Sequence, residues 1–163
     1  MASIRVTVYR NFSQPEERMT TTQTKTPIQL AEAVIAAFNA ADWDQIRATI
    51  APNVVYTETG TQRRVETLED YLQLLQGWKQ AIPDARGTVA KTVSQGNTVV
   101  QEITWVGTQT GPLPTPAGTL PPSGKAFRVA AAICYTVDGE LVQEVHHYLD
   151  VLALLQQLGA LPG

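Results

Sequence analysis

Apolar residues along this chain keep two different periods, and the change between them falls at Pro83. Ahead of Pro83 they recur every three or four positions. Ile28, Ala31, Val34, Ile35 and Phe38 mark one face of a helix that reaches about Ala40. Its start is specified twice, because Thr26-Pro27-Ile28-Gln29 joins a capping box to a proline at the first helical position. Asp42, with Gln45 three residues later, predicts the cap of a short second helix carrying Trp43, Ile46 and Ile50 and stopped by Pro52. Residues 54–59 read as a short strand ending at Gly60. Thr67 opens a third helix, with Leu68, Tyr71, Leu72, Leu75, Trp78 and Ile82 on one stripe, and Pro83 ends it.

Beyond Pro83 the period is two. Strands are expected over 88–94, 98–108, 125–137 and 140–149, the last pair joined by the hairpin signal Asp138-Gly139. Residues 109–124 hold five prolines and three glycines, too long for a tight hairpin and too rich in proline for a strand. Asp150 predicts the cap of a final helix through Leu158, stopped by Gly159. The order is α-α-β-α-β-β-β-β-α. It predicts an α+β domain, one curved antiparallel sheet packed on helices, over residues 26–163. Residues 1–25 read as a flexible N-terminal arm of Ser, Gln, Pro, Glu and Thr, although Ile4, Val6 and Val8 alternate as a strand would.

Composition narrows the function classes. The single cysteine, Cys134, excludes an intrachain disulfide framework and multi-cysteine zinc sites. No apolar run approaches the roughly 20 residues of a membrane span, and the N-terminus lacks a secretory pattern, which predicts a cytoplasmic protein. A net charge of −3 makes nucleic acid an unsuitable partner. The chain has no glycine-rich phosphate loop, no Gly-x-Ser-x-Gly elbow and no His-Glu-x-x-His, so no metal is expected from a motif.

The candidate chemistry gathers at Glu144-Val145-His146-His147-Tyr148-Leu149-Asp150. Adjacent strand residues point to opposite faces, so His146 and His147 cannot chelate one metal together, and one of them must face the helix-covered side. An imidazole there suits general acid or base work at neutral pH, or it is a histidine satisfied in the core. Asp150 is a further acid/base candidate, with helix capping as the competing role. Tyr56, Trp78, Trp105 and Tyr148 could line an apolar pocket or simply fill a core, as Trp43 could. Ala130-Ala131-Ala132 leaves a sheet face underfilled. If Ala130, Ala132 and Cys134 face inward, then Ile133, Tyr135 and Val137 form an apolar outer face suited to a homodimer. The same parity aims His147 and Val145 at the cavity, and His146 and Tyr148 outward. Arg128 and Glu58, polar residues near strand ends, are expected mainly at solvent, with Arg128 retained as a substrate contact.

Four stretches carry a resemblance to a known family. They are Ala37-Phe38-Asn39-Ala40-Ala41-Asp42-Trp43; Ala51-Pro52-Asn53-Val54-Val55-Tyr56; Gly107-Thr108-Gln109-Thr110-Gly111 leading to Pro122-Ser123-Gly124-Lys125; and His146-His147-Tyr148-Leu149-Asp150 followed by Leu155-Gln156-Gln157-Leu158-Gly159. Over about residues 26–160 the chain resembles the SnoaL-like polyketide cyclases of the nuclear transport factor 2-like superfamily. The resemblance implies a cone-shaped α+β barrel, commonly a homodimer, with a pocket between sheet and helices. It also implies ring closure by intramolecular aldol condensation without metal or organic cofactor, using an aspartate on the last strand. Counted back from Gln-Leu-Gly, that aspartate position is His147; counted forward from Asp138-Gly139, it is His146. Family pocket positions fall on Tyr56, Ala130 and Ala132, and a motif histidine falls on Gln109.

Two functions follow. One is a cofactor-independent cyclase, isomerase or lyase acting on a hydrophobic, carbonyl-containing small molecule, with His147 moving the proton and Tyr56 or Tyr148 as donors to the oxyanion. The other is a non-catalytic ligand-binding or dimerisation module. A buried His–carboxylate couple in the pocket favours the first. An epoxide hydrolase on this fold would need an Asp-Arg-Asp arrangement, and Arg128 is the sole strand arginine considered for it.

Overall fold

A computed structural model describes residues 24–115 and 118–161. The expected strand around Ile4, Val6 and Val8 and the N-terminal arm through residue 23 lie outside the described residues. Helices α1 (Pro27–Ala40) and α2 (Trp43–Thr49) lead into strands β1 (Ile50–Glu58) and β2 (Arg63–Val65), followed by α3 (Leu68–Ala81). Then come β3 (Arg86–Gln95), β4 (Thr98–Thr108), β5 (Leu113–Thr115), β6 (Gly118–Leu120), β7 (Ala126–Asp138), β8 (Leu141–Leu149) and α4 (Val151–Leu158). Each helix starts where its cap stands. Thr26 and Gln29 form the reciprocal capping box, and the carboxylates of Asp42 and Asp150 accept from Gln45 N at 2.9 Å and Ala153 N at 3.0 Å. Thr67 Oγ1 accepts from Asp70 N at 3.1 Å. Among the described residues no helix is long and apolar enough to cross a membrane.

Among the described residues six strands form one open, curved sheet in the order β2-β1-β8-β7-β4-β3. The fold is an α+β cone, with helices on the concave side. The sheet is mixed rather than antiparallel throughout, because β1 lies parallel to β8. That pairing joins strands far apart in sequence, which no local turn signal announces. Pro52 sits inside β1, where the register slips between Ile50 and Val55, so the missing N–H falls at an irregularity. Within the proline-rich segment β5 and β6 form a short hairpin, also unexpected from sequence. Gln109 secures that segment: its backbone N–H donates to Lys125 O, and its buried amide nitrogen donates to Gly111 O and Pro121 O. The family's motif position is structural here.

The expected faces of β7 are reversed. Phe127, Val129, Ile133, Tyr135 and Val137 are buried in the cone, while Ala130 is exposed and Ala132 and Cys134 are half-buried on the convex side. Bulk decides the matter. The concave face must fill the volume beneath four helices, and small side chains on the convex face cost no packing. The apolar outer face built from Ile133, Tyr135 and Val137 therefore does not exist. Between β7 and β8 the register shifts at Thr136/Val137: Val137 opposes Val142 but Thr136 opposes Glu144, leaving Gln143 as the extra residue of a bulge. Val142 and Val145, an odd spacing apart, both face inward as a result.

Candidate active site

The parity set by that bulge places the two histidines. Ile133 opposes His147 and Cys134 opposes His146, and opposed residues share a face. His147 therefore joins Ile133 on the concave face with Val145, and His146 joins Cys134 outside. On the other flank β1 carries Val54, Tyr56 and Glu58 inward at every second residue. Tyr56 lies beside Val145 and Glu58 beside His147 across the parallel pair.

Trp105, His147 and Tyr56 consequently meet at the wall of an apolar pocket, joined to Glu58 and Thr61 outside its lining. Trp105 Nε1 donates to His147 Nε2 at 3.2 Å. His147 Nδ1 lies 3.1 Å from Tyr56 Oη and 3.6 Å from Glu58 Oε2. Tyr56 Oη donates to Glu58 Oε2 at 2.9 Å, and Thr61 Oγ1 donates to Glu58 Oε1 at 2.5 Å. An indole N–H can only donate, so His147 Nε2 is the acceptor and the imidazole proton sits on Nδ1, directed at Tyr56 and Glu58. This assignment gives each side-chain nitrogen and oxygen of His147, Tyr56 and Glu58 a partner.

Glu58 is 1% exposed. Burial by itself pushes its carboxyl up. The His147 Nδ1–H, the Thr61 hydroxyl, the charge His147 carries when protonated and the Tyr56 hydroxyl together outweigh burial and hold it at about 2. Tyr56 moves the other way: burial first, then the neighbouring carboxylate, raise its phenol well above the ordinary range. Glu58 is thus a fixed anion and Tyr56 a neutral donor.

The pocket walls come from α1 (Phe38), α3 (Tyr71, Leu75, Trp78), the sheet (Val129, Ile133, Tyr135) and α4 (Leu154). The cavity volume is ≈ 70 Å³, and counted out to the open mouth the space is ≈ 710 Å³. Phe38 meets Trp105 edge-on with centroids 5.2 Å apart, holding the indole against His147. Among the described residues no Asp or Arg lines this pocket, so they do not assemble the Asp-Arg-Asp set of an epoxide hydrolase in it.

Of the candidates from sequence, His147, Tyr56, Trp78 and Trp105 line the pocket, and the others do not. His146 faces outward, its Nδ1 2.6 Å from Thr57 Oγ1 and its Nε2 3.7 Å from Glu144. Tyr148 is 52% exposed on the convex face opposite Ala132. Arg128, Ala130 and Ala132 also lie on that side of β7, and the backbone of Arg128 is bound to the Gln157 amide of α4. Asp150 is the N-cap of α4. Sequence reasoning missed Glu58. The signal available was its parity with Val54 and Tyr56, overlooked because a glutamate near a strand end usually reaches solvent.

Comparisons agree with this architecture. The model of a family described as SnoaL-like polyketide cyclase matches residues 28–158. TsrD from Streptomyces laurentii is 25% identical, with a TM-score of 0.71 over 82% of this chain and 95% of its own. IdmH from Streptomyces antibioticus, named as a proposed polyketide cyclase, is 24% identical, with a TM-score of 0.71 over 83% of this chain and 99% of its own. A Catenulispora acidiphila protein with a ketosteroid isomerase-like fold is 20% identical, with a TM-score of 0.69 over 85% of this chain and 96% of its own. No curated protein sequence matches significantly.

Proposed function

From the premise that the chain belongs to the SnoaL-like polyketide cyclase family, we propose that it is a cofactor-independent enzyme that moves a proton on a hydrophobic, carbonyl-containing, polyketide-like molecule. His147 is the acid/base, Glu58 and Tyr56 position it, and Trp105 is the donor to the developing oxyanion. The observation that carries this reading is the buried Glu58–His147 couple, 3.6 Å apart, with His147 lining the pocket.

The step balances without a further reactant. His147 Nε2 takes a proton from the carbon next to the carbonyl; the C–H bond breaks, an N–H bond forms, and the electron pair moves to the carbonyl oxygen. The imidazolium then carries Nδ1–H toward Tyr56 and the Glu58 carboxylate, whose charge stabilises it in a low-dielectric site. Displaced from Nε2, the Trp105 N–H is free to donate to the enolate oxygen. In a cyclisation the enolate carbon attacks a second carbonyl, and the imidazolium returns its proton to the resulting alkoxide. Isomerisation ends instead with return of the proton to carbon.

The alternative, a non-catalytic ligand-binding module, has one observation on its side: the lone pair of Nε2 already accepts from Trp105. Exchange of the α-protons of β-tetralone in deuterium oxide separates the two. Wild-type protein should accelerate exchange and His147→Gln should not, while both bind the ketone. Binding without accelerated exchange in the wild type would establish the module instead. A homodimer is also proposed, through the sheet's outer face as expected from sequence but built from the other set of residues. Val100, Cys134 and His146 form one row of the convex face, and Ala132 and Tyr148 the next. Sedimentation showing only monomer at micromolar concentration would refute it.

A further inference from the structure

Buried polar groups at and behind the pocket wall go unused in the proton-transfer reading. Tyr135 is fully buried, lines the cavity, and its hydroxyl has no hydrogen-bond partner among the described residues. Gln101, outside the cavity lining, is fully buried too, and neither its amide nitrogen nor its amide oxygen has a partner among the described residues. Val99 opposes Tyr135 and Gln101 opposes Ile133 across β4 and β7, so Gln101 and Tyr135 are diagonal neighbours on the concave face. Buried polar groups in folded proteins are nearly always paired, and orphans at a cavity wall indicate a ligand group that completes them.

Their position relative to His147 follows from the register. His147 opposes Ile133 and Val145 opposes Tyr135, so Tyr135 stands two residues along the sheet from the His147 row, roughly 7 Å at the ordinary strand rise. Burial first, and then nearby Tyr71, push the Tyr135 phenol well above its ordinary value, so it offers a neutral O–H. The wall between these two polar stations is apolar, with Ile133 and Val145 facing the cavity.

We propose that Tyr135, backed by Gln101, is the specificity-determining anchor for a second oxygen of the substrate. The substrate class is then an apolar, planar molecule with a carbonyl presented to His147 and a hydroxyl or carbonyl at the opposite end. This rests on the reading of His147 given above. An apolar site with unpaired amide and phenol groups discriminates against a ligand lacking the second oxygen, because that ligand leaves them unpaired.

Two probes test this by binding rather than turnover, read from the intrinsic fluorescence of the full chain. They are naphthaldehyde and its analogue carrying a hydroxyl on the distal ring. The wild type should favour the hydroxylated aldehyde on the order of tenfold, the usual weight of one buried hydrogen bond. Tyr135→Phe and Gln101→Leu should each lower that preference, and together they should erase it. Each variant should melt no lower than the wild type, because it removes a polar group that the protein itself leaves unpaired. Equal binding of the two aldehydes to the wild type would overturn the anchor while leaving the His147 reading intact, and so would a preference surviving both substitutions. A melting temperature lowered by Tyr135→Phe would mean the hydroxyl is already satisfied inside the protein, which overturns it too. If neither aldehyde binds, the reading of the pocket as a carbonyl site fails and the anchor fails with it.

Discussion

His146 and His147 are chain neighbours on one strand, yet they occupy two chemical environments. His147 faces an apolar cone, 11% exposed at its side chain, with its nitrogens against Trp105, Tyr56 and a fully buried carboxylate. His146 faces the convex surface, 35% exposed, against a threonine hydroxyl and the half-exposed carboxylate of Glu144. Both therefore have a carboxylate partner at a similar distance, 3.6 Å for one and 3.7 Å for the other. Burial separates them. A charge pair in water is weakened by solvent and by the freedom of its side chains, whereas the inner pair sits in a low dielectric with its remaining hydrogen bonds satisfied. Distance alone is a poor guide to which pair can do chemistry.

The largest expected difference is catalytic. His147→Gln should reduce α-proton exchange of a hydrophobic ketone by on the order of 10² to 10⁴, the usual contribution of a positioned acid/base, whereas His146→Gln should change it less than about twofold. Equal losses in the two variants would mean the faces do not divide the chemistry. The carboxylates should divide in stability. Glu58→Ala strands His147, Tyr56 and Thr61 in a buried site and should cost about 3–5 kcal/mol, while Glu144→Ala should cost under about 1 kcal/mol in denaturant unfolding.

Acid sharpens the same contrast. The folded Glu58 carboxyl titrates at about 2 against an ordinary 4.5, so its stabilisation is complete above about pH 4.5 and fades as the pH falls toward 2. The full difference is about 3 kcal/mol, and Glu58→Gln should lose much less stability than the wild type between pH 6 and pH 2.5. Parallel loss in wild type and variant would deny that carboxylate its role in acid unfolding. Asp150 gives the smallest effect. As a helix cap outside the pocket, Asp150→Ala should cost about 1 kcal/mol and leave proton exchange within about twofold. A selective loss of exchange with stability retained would return Asp150 to the site.

The local elements were legible along the chain because each carries its own marker. Thr26, Asp42, Thr67 and Asp150 all cap helices, and Asp138-Gly139 turns β7 into β8, since these contacts span only a few residues. The short strands β2, β5 and β6 were not legible, because three residues carry too little pattern. The site was half legible. His147, Tyr56, Trp78 and Trp105 stand out as residue types, but Glu58 reads from sequence as a surface residue, and Arg128, Ala130, Ala132 and Tyr148 lie on the other side of the sheet.

Sequence by itself determined the helices, most of the strands, the hairpin and the fact that one of two adjacent histidines must face inward. Which one does so was decided by the tertiary structure. Strand parity is only relative, and a bulge at Gln143 changes it for every residue that follows, so that Val142 and Val145 both reach the core and His147 turns in after them. The parallel pairing of β1 with β8 then carries Glu58, 89 residues earlier in the chain, beside that imidazole. No local rule encodes such a meeting. It follows from packing bulky side chains under the helices and leaving the small ones outside, a choice that only the whole cone can make.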